Sequence, residues 1–209
     1  MTGIVLRAPS GRPYAVGHRG AMGHAPENTL ASFRKGFELG APLLELDIHL
    51  SADGQIVVIH DETVDRTTNG SGRVCDLSAA DIRRLDAGSW FSAEFAGEPL
   101  PLLDEVLEWA HGRVGLVIEL KLGPVWYPGI EEALVTLLRQ HGAEAEVLAI
   151  SFDHIAVRRV KQVAPAVKTA VMYGGRLIDP VAVARSAAPD ALPRRLHRTW
   201  RTTGGSIRG

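Results

Sequence analysis

His18, Glu45, Asp47, His60 and Glu119 each end, follow or sit within a short apolar run of the chain, at residues 14–17, 43–49, 55–60 and 114–120. If those runs are buried strands of one parallel sheet, their C-terminal ends collect on one face and bring two imidazoles and three carboxylates together. Three carboxylates can hold a hard divalent cation, and two imidazoles can pass protons. These are the parts needed to hydrolyse a phosphate ester.

The neighbours of these residues sharpen the reading. Glu45 and Asp47 share one side of a strand, because side chains alternate with a period of two. Two carboxylates inside an apolar run are costly to bury unless a cation or a donor compensates them, so the choice lies between a metal and a structural ion pair with an arginine. His49 falls on the same face, as a further neighbour or pointing to solvent past the strand end. Glu119 and Lys121 repeat the spacing of two on another strand. A carboxylate there suits a metal ligand beside a phosphate-binding cation, and the plain alternative is a mutual salt bridge. His18-Arg19-Gly20 follows the first strand: Gly20 permits a tight turn, Arg19 offers a planar fork to a phosphate, and His18 can act as acid or base. Taken alone the triplet reads first as a solvated surface pair, and His60-Asp61 first as a strand-end histidine capped by its neighbour.

The elements that must position these groups alternate along the chain. Strands are predicted at residues 14–17, 43–49, 55–60, 114–120, 146–152 and 167–173, with helices at 29–39, 103–110, 129–141 and 154–163. Such alternation argues an α/β fold built on a parallel sheet with right-handed crossovers. Leu30, Phe33 and Phe37 fit the helical period, with Asn28 or Thr29 as N-cap and Gly40 as stop. Asp53-Gly54 signals a tight turn between two strands. Residues 61–101, rich in glycine but carrying Trp90, Phe91 and Phe95, break the alternation directly after His60. An aromatic-bearing irregular stretch of that length is expected to be an ordered excursion over the site.

At 209 residues, with 45% apolar and 22% charged residues, the chain has the composition of one globular domain with a large core. The single cysteine, Cys75, allows no intramolecular disulfide. No apolar stretch has the length of a signal-peptide core or a membrane span, so no integral membrane segment is expected and the cytoplasm is the expected location. The net charge of −1 conceals a net −10 over residues 1–153 and a net +9 over residues 154–209. A basic half can bind nucleic acid, but no aromatic-rich basic strand or binding motif accompanies it, and nucleic acid is not an expected partner.

Taken together, the segments GHRG, APENTLASF, LELDIHLSADGQIVVIHDETVDRTTNGSG and VIELK resemble the glycerophosphodiester phosphodiesterase family in content, order and spacing, over about residues 14–152. The resemblance implies a TIM (β/α)8-type barrel, a place in glycerol and lipid metabolism, and one divalent metal ion, Mg2+ or Ca2+. The implied reaction is hydrolysis of a small-molecule glycerophosphodiester to sn-glycerol 3-phosphate and an alcohol. Position by position, Glu45, Asp47 and Glu119 match the family's metal ligands, His18 and His60 its acid–base pair, and Arg19 and Lys121 its phosphate-contacting positions. Residues 61–101 resemble its small insertion subdomain, placed after the third strand.

The resemblance implies eight strands, whereas about six are counted up to Tyr173. Residues 191–209 carry five Arg, no acidic residue and no apolar period, and Trp200 lacks a strand to carry it. The expectation is therefore a barrel domain over residues 1–190, incomplete and followed by a basic, non-native or disordered tail, as truncation or a frameshift would produce. Two alternatives accompany the leading reading. One is an inactive remnant that only binds metal or phosphate. The other is a related barrel phosphodiesterase acting on lysophospholipid or phospholipid, with Trp90, Phe91 and Phe95 as an apolar rim. Oligomeric state is not legible.

Overall fold

The computed structural model describes residue 4, residues 14–121, residues 127–187 and residue 190. The expectations for residues 191–209, Trp200 included, fall outside the described residues. Strand β1 (Val16–Gly17) leads through a loop to helix α1 (Leu30–Glu38), then to strands β2 (Leu43–Leu50) and β3 (Ile56–Val58). After the excursion, which holds the short helix α2 (Ala79–Ile82), come α3 (Leu103–Ala110), β4 (Gly115–Leu120), α4 (Ile130–Gln140) and β5 (Val147–Ser151). The chain continues through α5 (His154–Val163), β6 (Lys168–Val171) and α6 (Pro180–Arg185).

The sheet runs β1-β2-β4-β5-β6, all parallel, with β3 paired antiparallel to β2 alone. Among the described residues it is an α/β sheet of six strands that does not close. Two corrections follow for the sequence reading. The Asp53-Gly54 turn, with Gly54 at φ 76°, makes residues 55–60 the return arm of a hairpin rather than a strand of the parallel set. Five of the six strands therefore belong to the barrel progression. Helix α6 was not predicted: at six residues it is too short for apolar periodicity, although its Asp179-Pro180 start carries the cap signal, Asp179 accepting from the Ala182 amide at 2.8 Å.

Period-two alternation divides the sheet's two faces. Leu44, Leu46 and Ile48 of β2, with Leu116, Ile118 and Leu120 of β4, are buried in one core with Phe33 of α1, Leu103 and Leu107 of α3 and Leu134 and Leu138 of α4. The alternate residues point to the inner face, where Leu43, Val117, Ile150, Ala170 and Met172 form a separate apolar cluster with Ile4. Glu45, Asp47 and Glu119 occupy the same inner face further along the strands. Thr29 is the N-cap of α1, accepting from the Ser32 amide at 3.2 Å. Phe33 is fully buried as expected, but Phe37 stays half exposed, edge-on to Trp109 at 6.2 Å.

The excursion is ordered and has a small core of its own, in which Val64, Val74, Ile82, Ala87 and Leu100 pack on Val57 and Ile59 of the hairpin arm. Trp90, Phe91 and Phe95 stack edge to face on one another, with centroids 5.7 Å apart in both pairs. Among the described residues no helix is long and apolar enough to cross a membrane.

Candidate active site

The site is organised along one edge of β2. Strand β4 pairs with β2 from Leu43 to Ile48, which leaves β1 and β3 to share the opposite edge. On that edge the Glu45 carbonyl accepts from the Gly20 amide at 3.2 Å, and the Asp47 carbonyl accepts from the Ile59 amide at 3.0 Å. The loop carrying His18 and Arg19 and the arm carrying His60 are thus fastened side by side. His60 arrives not at the end of a parallel strand, as the sequence suggested, but because the hairpin folds back to the level of Asp47.

The loop after β1 is held under conformational strain. Arg19 has φ 49° and Asn28 φ 58°, in the left-handed region that costs a non-glycine residue on the order of 1–3 kcal/mol. Gly20, at φ 84°, passes so close to α1 that a Cβ there would lie 2.5 Å from Ser32 Oγ. Local hydrogen bonds fix the turn: Ser32 Oγ donates to the Arg19 carbonyl at 2.8 Å, the Ala21 amide donates to Ser32 Oγ at 2.8 Å, and the Arg19 amide donates to Glu45 Oε2 at 2.9 Å.

Glu45, Asp47 and Glu119 are buried, and each offers a carboxylate oxygen within 4.8 Å of the others. Lys121 Nζ lies 2.7 Å from Glu119 Oε1 and 3.0 Å from Asp47 Oδ1, and Arg19 Nε lies 3.5 Å from Asp47 Oδ2. The salt bridge foreseen between Glu119 and Lys121 therefore exists, but it is buried and shared with Asp47. Burial and the charge of Asp47 push Glu45 well above the ordinary carboxylate range. Burial also raises Glu119. For Asp47 burial acts the same way, yet the Lys121 charge and the Asn28 hydrogen bond outweigh it and leave its pKa lowered.

These residues fit a hard divalent cation. The donors are all oxygens, and the buried Asp47 Oδ1, though close to Lys121, accepts no hydrogen bond. A cation among the three would also relieve the mutual repulsion that raises Glu45. Arg19 Nε is likewise buried and donates no hydrogen bond, which suits an anion arriving beside the carboxylates.

The two histidines differ in their surroundings. His18 Nε2 lies 3.8 Å from Glu45 Oε2, and burial together with the Arg19 charge lowers its pKa to about 4, favouring the neutral ring. His60 Nδ1 is 2.7 Å from Asp61 Oδ1. His49, foreseen on the face of Glu45 and Asp47, is buried, with Nε2 3.1 Å from the His60 carbonyl and Nδ1 2.8 Å from Tyr127 Oη.

All seven sequence-predicted residues thus gather at one end of the sheet. Sequence reasoning missed Glu27, Asn28, Arg66 and Tyr127. Glu27 and Asn28 stand just ahead of α1, and helical periodicity carries no signal for their inward turn. Glu27 is buried against two arginines, with Oε1 2.8 Å from Arg19 Nη1 and 2.7 Å from Arg66 Nη2.

The model of the glycerophosphoryl diester phosphodiesterase family matches residues 18–195. A glycerophosphodiester phosphodiesterase of Caldanaerobacter subterraneus subsp. tengcongensis is 48% identical over 166 residues, which cover 79% of this chain and 68% of that protein. One from Bacillus subtilis is 38% identical over 172 residues, covering 76% and 58%. The chain thus spans about two thirds or less of the length of these curated relatives. Among solved structures, an Oleispira antarctica phosphodiesterase in complex with the product sn-glycerol-3-phosphate superposes with a TM-score of 0.79 at 33% identity, over 88% of this chain and 75% of that one. A glycerophosphodiester phosphodiesterase from Agrobacterium tumefaciens superposes with a TM-score of 0.68 at 40% identity, over 74% and 64%.

Proposed function

Because the chain belongs to the glycerophosphoryl diester phosphodiesterase family, whose solved members have TIM-type barrels, we propose that it hydrolyses glycerophosphodiesters to sn-glycerol 3-phosphate and an alcohol. In this reading Glu45, Asp47 and Glu119 hold one divalent ion, Mg2+ or Ca2+, and His18 and His60 exchange protons with the substrate. The substrate is a small molecule and the work is done in the cytoplasm, by a barrel domain within residues 1–190 whose stretch 61–101 is an insertion subdomain. The observation that carries the proposal is the triad of carboxylates within 4.8 Å, contributed by β2 and β4, beside the segments bonded to β2 that carry both imidazoles.

When bound, the cation supplies positive charge to the phosphodiester, which otherwise repels a nucleophile. Arg19 Nε, free of hydrogen bonds, donates to a phosphate oxygen, and Lys121 adds a compact positive charge beside it. His18, kept neutral by burial and Arg19, accepts the proton of the attacking oxygen. His60, with Asp61 on Nδ1, is held to deliver a proton from Nε2 to the alkoxide as its bond to phosphorus breaks. One proton is taken and one returned, so the pair ends with its protons exchanged and is reset through solvent.

The direct test is release of glycerol 3-phosphate from glycerophosphocholine, with and without EDTA, and after Mg2+ or Ca2+ is added back. Release that stops on chelation and returns with metal is expected. Turnover that survives full chelation would remove the metal from the reaction, and no release with either ion would end the substrate assignment.

A further inference from the structure

Arg66 belongs to the excursion, yet its guanidinium reaches back to two carboxylates that each serve a proposed site residue. Nε and Nη2 donate to Asp61 Oδ2 and Oδ1 at 2.6 and 3.1 Å. Nη1 and Nη2 donate to Glu27 Oε2 and Oε1 at 3.1 and 2.7 Å. The same Asp61 Oδ1 faces His60 Nδ1 at 2.7 Å, and the same Glu27 Oε1 accepts from Arg19 Nη1 at 2.8 Å. An unbroken series of charge-assisted contacts therefore runs from the His60 imidazole through Asp61, Arg66 and Glu27 to the Arg19 guanidinium.

The series joins what the backbone leaves separate. His60 hangs from the hairpin arm and Arg19 from the loop after β1, and the backbones of these two segments are tied to β2 near Asp47 and Glu45. Those bonds fix where each residue starts, not where its side chain ends. A planar fork engaging both carboxylates in bidentate fashion sets direction as well as distance, which a lysine ammonium cannot do. Glu27 is buried, and burial would raise its pKa, but the Arg66 hydrogen bonds and the Arg19 charge leave it lowered, so it stays ionised as the series requires. With Nη1 occupied by Glu27, Arg19 turns its unbonded Nε toward the carboxylate cluster.

We infer that Arg66 is a positioning residue that holds the proton-carrying ring of His60 and the phosphate-binding fork of Arg19 in one mutual orientation. Its hydrogen bonds go to Asp61 and Glu27 rather than to the carboxylate cluster, and its part in turnover rests on the function proposed above. Outer-layer contacts of this kind typically matter by about 10–100-fold, and that loss of kcat/KM is expected for Arg66→Lys, where the charge is kept and the fork is lost.

Two measurements on the full chain test this. The first is a kinetic cycle on glycerophosphocholine with Glu27→Gln and Asp61→Asn, two carboxylates joined through Arg66. Their effects should be non-additive with Arg66 present and additive in the Arg66→Lys background. The second needs no activity: the 15N imidazole signals of His60, assigned by their loss in His60→Gln, should move on Glu27→Gln at fixed pH, and stay put when the same change is made in Arg66→Lys. A purely structural arginine would lower the melting temperature without producing either coupling. Wild-type-like kinetics in Arg66→Lys, or His60 signals indifferent to Glu27→Gln, would overturn the inference. A chain inactive on the substrate that still shows the spectral coupling would instead sink the functional reading and leave the positioning role standing. Arg84→Lys, on a surface pair with Asp81, serves as the neutral control.

Discussion

Asn28 and Asp47 exchange two hydrogen bonds across a separation of nineteen residues: Asn28 Nδ2 donates to Asp47 Oδ2 at 2.9 Å, and the Asp47 amide donates to Asn28 Oδ1 at 3.3 Å. The amide serves both directions at once, which is why neither a carboxylate nor an alkyl side chain can replace it. Asn28 also sits at φ 58°, a conformation asparagine tolerates better than most residues. Asn28→Asp would set a second buried carboxylate against Asp47 and remove its donor. A loss of about 1–3 kcal/mol in urea unfolding is expected, together with weaker Mg2+ or Ca2+ binding by calorimetry. Unchanged metal affinity would show that this pair does not shape the carboxylate cluster.

The metal and proton-transfer roles separate by mutation. Glu45→Gln, Asp47→Asn and Glu119→Gln should each weaken divalent-ion binding, with turnover partly restored by excess metal. His18→Ala and His60→Ala should leave metal affinity nearly intact and reduce turnover by roughly 10²–10⁴, the usual contribution of a positioned acid or base. Full metal affinity in all three carboxylate variants would end the ligand assignment.

Acid stability should depend on Arg66. Asp61 is lowered by its Arg66 hydrogen bonds, and Glu27 is lowered because Arg66 and Arg19 outweigh the burial that would raise it. A carboxyl whose pKa is lower in the fold contributes stability that is present above its unfolded value and is lost as pH falls through the folded one. For Glu27 that loss begins as pH drops past its ordinary value of 4.5, and for Asp61 past 3.8. Urea midpoints followed from pH 7 downward should therefore fall on the acid side, and less steeply in Arg66→Met. An identical acid limb in the variant would mean that these pairs do not couple to folding.

Gly20→Ala should damage both fold and site. The new methyl would require φ near 84° and would meet Ser32, whose hydroxyl bonds the Arg19 carbonyl. Overpacking of this kind costs about 1–3 kcal/mol, and here relief can come only by displacing the turn that carries Arg19. A melting curve and activity both equal to those of the parent chain would show that the turn is more tolerant than its packing indicates.

Much of the site was legible because strand and helix periodicities are properties of the chain itself. Alternation put Glu45, Asp47 and His49 on one side of β2 and Glu119 with Lys121 on one side of β4, and the structure keeps those groupings. Apolar period and cap chemistry located α1, α3, α4 and α5 to within a residue or so. What periodicity cannot encode is which strand lies beside which, in what direction and register. That Lys121 bridges Asp47 as well as Glu119 follows from the β2–β4 register, in which Asp47 faces Glu119. That His60 stands beside the carboxylates follows from the antiparallel return of β3, so its expected place at a parallel strand's end was right in outcome and wrong in cause. The links among Glu27, Arg66 and Asp61 form only when a loop before α1 and an excursion after β3 meet over the same edge of β2. Their energies come from distances between segments far apart in the chain, and only the tertiary arrangement determines those distances.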